Sequence, residues 1–282
     1  MQYEQDELRR LQLVELDILR DIDKVCREHG IRYFLDSGTL LGAVRHGGFI
    51  PWDDDVDLGM PRHDYERFLE IAPRALGDAY VVADPHRCNE QAGMFAKVWK
   101  RGTKFFTEET VEAGIPQGIF VDVFPYDRLH ADEKIAWRQR FMCRVWQSAL
   151  YLYHSKCITV PHTGLFGALE RGACRVAHMI VKRCFSRERI VEGFETWASQ
   201  GGSDPGSAYA ALSCATACFP ESVLFPVERI TFEGAAFSAP ACVEAYLDDM
   251  YGIDWRELPS PKHRRNHAPV ELDFGDAEYA VV

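Results

Sequence analysis

The sequence has no run of roughly 20 apolar residues, the length a helix needs to span a bilayer. Its longest uncharged stretch, Ser207 to Pro220, is shorter and rich in alanine and cysteine. Nor does it open on a basic segment followed by an apolar one. Gln2, Glu4, Asp6 and Glu7 come first, so no secretory leader is expected and membrane contact is at most peripheral. Paired cysteines are missing too: nine lie scattered from Cys26 to Cys242 without CxxC spacing. That pattern excludes a disulfide framework and a zinc knuckle, and fits reduced thiols in a cytoplasmic protein, the inner membrane face being its outer limit. Basic residues are scarce, 32 against 43 acidic for a net charge of −11. Duplex nucleic acid is therefore not an expected partner, and a chain of this charge that handles phosphates needs cations to help. There is no internal repeat and no low-complexity tract.

What is present is ordinary for a soluble globular chain: 282 residues with 47% hydrophobic content, enough to bury a large core. Leu11, Val14, Ile18, Ile22 and Val25 recur at helical spacing and Gly30 follows as a stop. Ile31 to Leu35 predicts a short strand. Ser37-Gly38-Thr39 predicts a turn, and Leu40 to Arg45 a short helix broken at His46-Gly47-Gly48. Asp64 is expected to cap a helix carrying Tyr65, Phe68, Leu69 and Ala72. Tyr80 to Ala83, Phe95 to Trp99 and Gly118 to Pro125 predict strands. From about residue 130 to 200 the pattern turns helical, with Trp137, Phe141, Val145, Ala149 and Leu152 as its apolar stripe. A breaker at Gly201 to Gly206, a hairpin turning at Glu233-Gly234 and a helix starting at Pro240 complete the reading. The expected divisions are 1–129, a catalytic core; 130–200, a helical subdomain; and 201–282, a hairpin and helix packing back on the core.

The chemistry concentrates in "GFIPWDDDVDLGM", Gly48 to Met60. Alternation over Asp55 to Met60 places Asp55 and Asp57 on one face of a strand and Val56 and Leu58 on the other. Two such charges about 5 Å apart repel by roughly 1 kcal/mol in water and several times that beside a core. A bound magnesium or manganese ion offsets the repulsion, and magnesium completes its shell with phosphate oxygens. The bland reading is a solvated acidic turn. A small-residue turn at a strand-to-helix junction, able to face phosphate, and the lone acid Asp122 in an apolar strand favour an active site. Lys97 is either a cation at the phosphates or a lysine with its stem along the sheet and its head in water.

"YFLDSGTLLGAVRHGGFIPWDDDVDLGMPRHDY", Tyr33 to Tyr65, resembles the signature of the LicD family of phosphotransferases, itself similar to the fukutin-related transferases. The likeness continues in "FAKVWKRGT" at Phe95, "GIFVDVFPYD" at Gly118, "FEGAAFSAP" at Phe232 and "YGIDWRELPSPKHRRNH" at Tyr251. It implies an α+β fold with a nucleotidyltransferase-like mixed sheet flanked by helices and a helical subdomain. It implies catalytic, metal-holding acids Asp55, Asp57 and Asp122, and phosphate contact at Ser37-Gly38-Thr39, through the hydroxyl of either Ser37 or Thr39. The implied reaction moves a phosphorylated alcohol, usually phosphocholine from CDP-choline, onto a hydroxyl of a cell-surface glycan or lipid-linked glycan, releasing CMP. Arg45, His46, Arg264, Arg265 and His267 would meet phosphate or glycan, or form a surface basic patch. Trp52, Trp99, Tyr126 or Trp255 could hold a quaternary ammonium, or be plain core. Two other classes satisfy parts of the pattern: a D-x-D nucleotide-sugar glycosyltransferase, and a non-catalytic glycan- or nucleotide-binding protein.

Overall fold

The structure, a computed structural model, describes residues 3–89, 91–154, 164–202, 207–214, 217–264 and 266–275. Helix α1 (Gln5–His29) buries the expected stripe from Leu11 to Val25 and ends at Gly30, whose left-handed backbone lets its N–H reach the Cys26 carbonyl. There follow β1 (Phe34–Leu35), α2 (Ser37–His46), β2 (Asp57–Pro61), α3 (Arg62–Ala75), β3 (Tyr80–Ala83), β4 (Ala96–Lys100), β5 (Lys104–Phe106), α4 (Glu108–Ala113) and β6 (Phe120–Arg128). Helices α5 (Glu133–His154), α6 (Gly164–Cys184) and α7 (Arg187–Ala198) come next, then β7 (Tyr209–Ala210), α8 (Glu221–Leu224), β8 (Glu228–Phe232), β9 (Ala235–Ala239), α9 (Val243–Tyr251) and β10 (Glu271–Asp273).

The main sheet runs β1-β2-β6-β4-β3, with β7 paired to the end of β6. Only the central β2–β6 pair is parallel, so the sheet is mixed, flanked by helices as the α+β expectation holds. Its heart is β6, where Phe120, Val121, Val123 and Tyr126 are all essentially without exposure. A strand covered on both faces reads as a nearly continuous apolar run, and each such side chain contributes roughly 1.5–3 kcal/mol of burial. Asp122, also buried, is therefore costly to place there.

Several expected boundaries move. The strand after Gly30 shortens to two residues. Ser37-Gly38-Thr39 is not a separate turn but the first turn of α2, because the Asp36 carboxylate accepts the Ser37 N–H and starts the helix early. Asp64 does not cap α3. Pro61 holds that position, and Asp64, in the first turn, accepts the Arg32 backbone N–H at 3.3 Å and the Arg32 guanidinium at 2.8 Å. The strands expected from Asp55, Phe95 and Gly118 begin at Asp57, Ala96 and Phe120, since hydrogen-bonded register rather than alternation sets their ends. Helix α9 starts at Val243 rather than at Pro240, where β9 has only just ended. The breaker ends α7 in a short 3-10 turn, Ser199–Gly201; its residues 203–206 lie outside the described ones, as does Arg265. The Glu233-Gly234 hairpin turn is as expected, both residues being left-handed.

Two apolar clusters form. The larger joins α1, α2, α3, the sheet, the β8–β9 hairpin and α9. The second gathers Met94, Leu129, Cys143, Leu150, Ile190, Phe194 and Leu212 around α5 and α7. The expected stripe on α5 is only partly its packing face. Trp137, Phe141 and Val145 are exposed, while Gln139, Cys143 and Leu150 point into the cluster. Gln139 succeeds there because its amide gives hydrogen bonds to the Arg128 and Ala198 carbonyls and takes one from the His130 N–H. Arg62 clamps the two parts together. Its guanidinium forks onto Asp127 of β6 at 2.7 and 2.8 Å and reaches Glu195 of α7 at 3.4 Å.

Candidate active site

The acidic loop leaves the sheet with the expected alternation. Val56 and Leu58 are buried, while Asp53, Asp55 and Asp57 keep partial exposure on the opposite side. Asp57 and Asp122 are direct register partners across the parallel β2–β6 pair, and Lys97 of β4 is the register partner of Asp122 on its other flank. Three strands thus deliver Asp57, Asp122 and Lys97 to one line across the sheet, with Asp55 at the mouth of β2.

Each carboxylate is held differently. Asp122 receives the Lys97 ammonium on both oxygens, at 2.7 and 2.9 Å, and that ammonium lies 3.6 Å from the centre of the Phe120 ring. Lys97 therefore does not carry its head into water. Burial pushes the Asp122 carboxyl up, and Lys97 opposes it. Asp57 is driven well above the usual carboxylate range, first by burial and then by the charges of Asp55 and Asp122. Asp55 is raised by burial as well, with His267 pulling it down and Asp122 and Asp54 pushing it up. Asp53 is pushed up to about 8 by burial and by Asp55 and Asp54.

Asp54 behaves in the opposite sense. It is fully buried, yet hydrogen bonds from His267 and Tyr3 outweigh that burial and hold it below its ordinary value. Its oxygens accept the Tyr3 hydroxyl at 2.6 Å, the His267 N–H at 2.8 Å and the Ala268 N–H at 3.1 Å. It staples both ends of the described chain onto the loop. The His267 ring stands 3.2 Å from Asp54 and 3.7 Å from Asp55 through Nδ1. The Asp54 hydrogen bond raises it to about 9 against its burial, with Asp55 adding to the rise. At neutral pH it is an imidazolium.

The N-terminus of α2 closes the site. Thr39, buried, accepts the Asp57 N–H at 2.9 Å, and the Asp36 N–H donates to the Asp57 carbonyl at 3.0 Å. Thr39 is thus committed to placing Asp57. Ser37, in a left-handed conformation at φ 44° that costs a β-carbon residue roughly 1–2 kcal/mol, turns its hydroxyl to Asp36. Asp36 is itself buried under the Tyr126 and Tyr246 hydroxyls, and burial raises its carboxyl against those hydrogen bonds. Gly38 has a steric reason to be glycine: a Cβ there would stand 2.9 Å from the Asp53 Oδ2.

Other expected contacts fall elsewhere. Arg45 gives its guanidinium to the Trp255 and Glu257 carbonyls at 3.0 and 3.3 Å, and to His46. It fastens the C-terminal segment to α2. Trp52 is half-buried with the Arg264 guanidinium 4.2 Å over its ring, so that face already holds a cation. Tyr126 and Trp255 are core, the latter donating its indole N–H to Asp248 at 2.7 Å, and Trp99 packs partly buried against the core.

The donor set suits a hard divalent cation: carboxylates crowded by like charge, with Lys97 and His267 beside them. Ligand atoms of Asp54, Asp55 and His267 lie within 4.8 Å of one another. That trio shares only Asp55 with the expected Asp55, Asp57 and Asp122, and Lys97 holds both Asp122 oxygens. Asp54 and a protonated His267 are poor ligands as they stand; Asp55 and Asp57 are the acids with raised pKa and open sides. Beneath them, Glu15 of α1 is fully buried, neither carboxylate oxygen has a hydrogen-bond partner among the described residues, and burial followed by Asp55, Asp54 and Asp53 drives it strongly toward the neutral acid. Sequence reasoning missed Asp54 and Glu15, though both carried a signal. Asp54 shares the parity of Val56 and Leu58, and Glu15 stands on the Leu11–Ile18–Ile22 face. Beside the acids, Lys97, Phe105, Thr107, Gln117, Phe120 and His267 line a recess of about 470 Å³, within the range of small-molecule sites.

Residues 30–162 match the family model described as LicD/FKTN/FKRP, nucleotidyltransferase domain. Over 131 residues the chain is 37% identical to the lipopolysaccharide cholinephosphotransferase LicD of Haemophilus influenzae, covering 46% of this chain and 48% of that protein. It is 63% identical over 35 residues to the human ribitol 5-phosphate transferase FKRP, 12% of this chain and 7% of that one. With the mouse ribitol-5-phosphate transferase FKTN it shares 36% over 61 residues, 22% and 13% of the two lengths. The matches thus span half or less of each relative. The stretch 30–162, which brings Asp57, Lys97 and Asp122 into one row, belongs to the LicD/FKTN/FKRP nucleotidyltransferase-domain family.

Proposed function

We propose that this protein is a metal-dependent phosphotransferase that moves a phosphorylated alcohol from a CDP-alcohol onto a glycan hydroxyl and releases CMP. Phosphocholine from CDP-choline is the favoured group, after the name of the LicD relative. The observation that carries the reading is the Asp57–Asp122 register pair, with Asp55 at its mouth and Lys97 on its flank. Asp55 and Asp57 would hold magnesium or manganese, which when bound neutralises diphosphate charge and the charge of the departing CMP.

The remaining work falls to this chain's own groups. The α2 N-terminus, opened by Gly38 and braced by Thr39, presents backbone N–H groups to phosphate oxygens. Lys97 and the protonated His267 flank the recess and draw the anionic donor in. The acceptor oxygen attacks the phosphorus that bears the alcohol. The bond from that phosphorus to the bridging oxygen breaks, and CMP leaves with the electron pair. The acceptor's proton passes to Asp122, whose raised affinity for a proton suits it as base, and the Lys97 ammonium it releases faces the phosphate charge. The expected 1–129, 130–200 and 201–282 divisions place this machinery in the first part, with His267 supplied by the last.

The test is a set of parallel incubations with CDP-choline, CDP-ribitol, CDP-glycerol and a UDP-sugar, each with magnesium and a glycan acceptor. CMP release from one CDP-alcohol with none from buffer lacking acceptor is expected. UDP release instead would make the chain a D-x-D glycosyltransferase, and ligand-dependent heat protection without turnover would make it a binding protein.

A further inference from the structure

Away from the acidic cleft, α6 carries a face with no partner among the described residues. Phe166, Leu169 and Met179 are 76%, 64% and 61% exposed, and Val176 and Ile180 are half-exposed with them. These positions recur at spacings of three, four and seven, so they form one stripe. The opposite face is the one that packs. His178 meets the Leu152 carbonyl, Lys182 lies over the Tyr153 ring and Val181 joins the second apolar cluster. Helix α6 is therefore doubly apolar, with one face against α5 and the other in solvent.

Charge says what that face meets. Helices α5 and α6 together hold eight Lys and Arg against two Glu, in a chain whose net charge is −11. Along α6, Arg171 and Arg175 fall at i and i+4, both exposed at the border of the apolar stripe. Arg171 and Arg175 make no ion pair among the described residues. Helix α5 repeats the pattern, with exposed Trp137, stacked on Phe141, and Val145 flanked by Arg138 and Arg144. An aliphatic and aromatic stripe edged by arginines is the pattern of a helix lying in the headgroup layer of a bilayer. A nucleic acid would use the arginines and leave the leucine, methionine and isoleucine uncovered.

We propose that the α5–α6 face docks this protein onto an anionic lipid surface, α6 lying in the interface with Phe166, Leu169, Val176, Met179 and Ile180 in the acyl boundary and Arg171 and Arg175 at the phosphates. No helix of the described residues is long and apolar enough to cross a membrane, so the contact is one of adsorption. The site is separate from the catalytic acids and does not depend on which donor they use.

Sedimentation of the full chain with vesicles tests it. Phosphatidylglycerol-rich vesicles are expected to carry the protein down, vesicles of phosphatidylcholine alone far less, and raised salt to weaken the binding. Each cation near such a surface is worth about a fivefold change in partition, so Arg171→Gln with Arg175→Gln should lower it about 30-fold. Leu169→Ser with Met179→Ser should lower it as well, including at low salt where charge is intact. These side chains face solvent, so thermal melting should be unchanged; should one pair fail to fold, Arg175→Gln with Ile180→Ser replaces it. Equal binding to neutral and anionic vesicles, undiminished binding by the variants, or a dimer in sedimentation that ignores lipid would overturn the proposal.

Discussion

The aspartate end of the sheet and the α5–α6 face break opposite rules. In the first, like charges are crowded into a covered site; in the second, apolar side chains are left uncovered. Each departure from ordinary packing needs an outside partner to make it favourable. Asp53, Asp55 and Asp57 hold protons more tightly than free carboxylates because burial, reinforced by neighbouring carboxylates, disfavours their charged forms, whereas Trp137 and Phe166 face solvent on helices rich in arginine. Local violations of packing logic concentrate where a molecule does its work.

The sharpest way to break the contrast is Asp57→Asn. Removing one ligand and one charge should cut CMP release by on the order of 10³-fold, while the melting temperature of the metal-free protein holds or rises because a repulsive charge has gone. A large fall in melting temperature would make Asp57 a structural acid instead. Next comes Arg62→Ala, at the seam between the two regions. It strands the buried Asp127 carboxylate and should cost about 3–5 kcal/mol in denaturant unfolding, with separate transitions for sheet and helices if the clamp is what couples them.

Smaller is the pH response of the metal-free protein. Asp53, raised to about 8, and His267, raised to about 9, both bind protons more tightly folded than unfolded. The stability they contribute is complete below their unfolded pKa values and is lost as pH rises through the folded ones. Melting temperature should therefore fall between about pH 4 and 9, with His267 adding to the slope above about pH 6.5, and magnesium should restore it most at the alkaline end; His267→Gln should flatten the upper part of that slope. The smallest effect belongs to Trp137→Ala. Loss of an exposed tryptophan should change stability by no more than about 0.5 kcal/mol, against about 3–5 kcal/mol for Phe120→Ala in the sheet. Equal costs would mean that α5 packs through its outer stripe after all.

How far the sequence could be read depends on the range of the interaction involved. Alternation through Asp55-Val56-Asp57-Leu58 placed the pair on one face, and the same parity, carried one step back, would have put Asp54 in the core. Nothing local told Asp54 from its neighbours in role, because that role comes from Tyr3 and from His267, which lies 213 positions away. On α5, periodicity found a helix and then chose the wrong face for the core, since Trp137-Phe141-Val145 and Cys143-Trp146-Leu150 are both apolar stripes and only the neighbouring α7 decides between them. Arg45 and Trp52 read as ligand contacts because their chemistry permits it; the carbonyls and the Arg264 guanidinium that occupy them come from the C-terminal segment.

The amino-acid sequence by itself determined the helices, most strands, the acidic face and the identity of the acids at issue, because these rest on side-chain period and composition within a few residues. Tertiary structure alone decided that β2 lies parallel to β6, which sets Asp57 against Asp122; that Lys97 closes on Asp122; and that α6 keeps one apolar face in solvent. Those outcomes depend on strand register and helix packing between segments tens to hundreds of residues apart, and the free energy of such contacts is not written in any one stretch of chain.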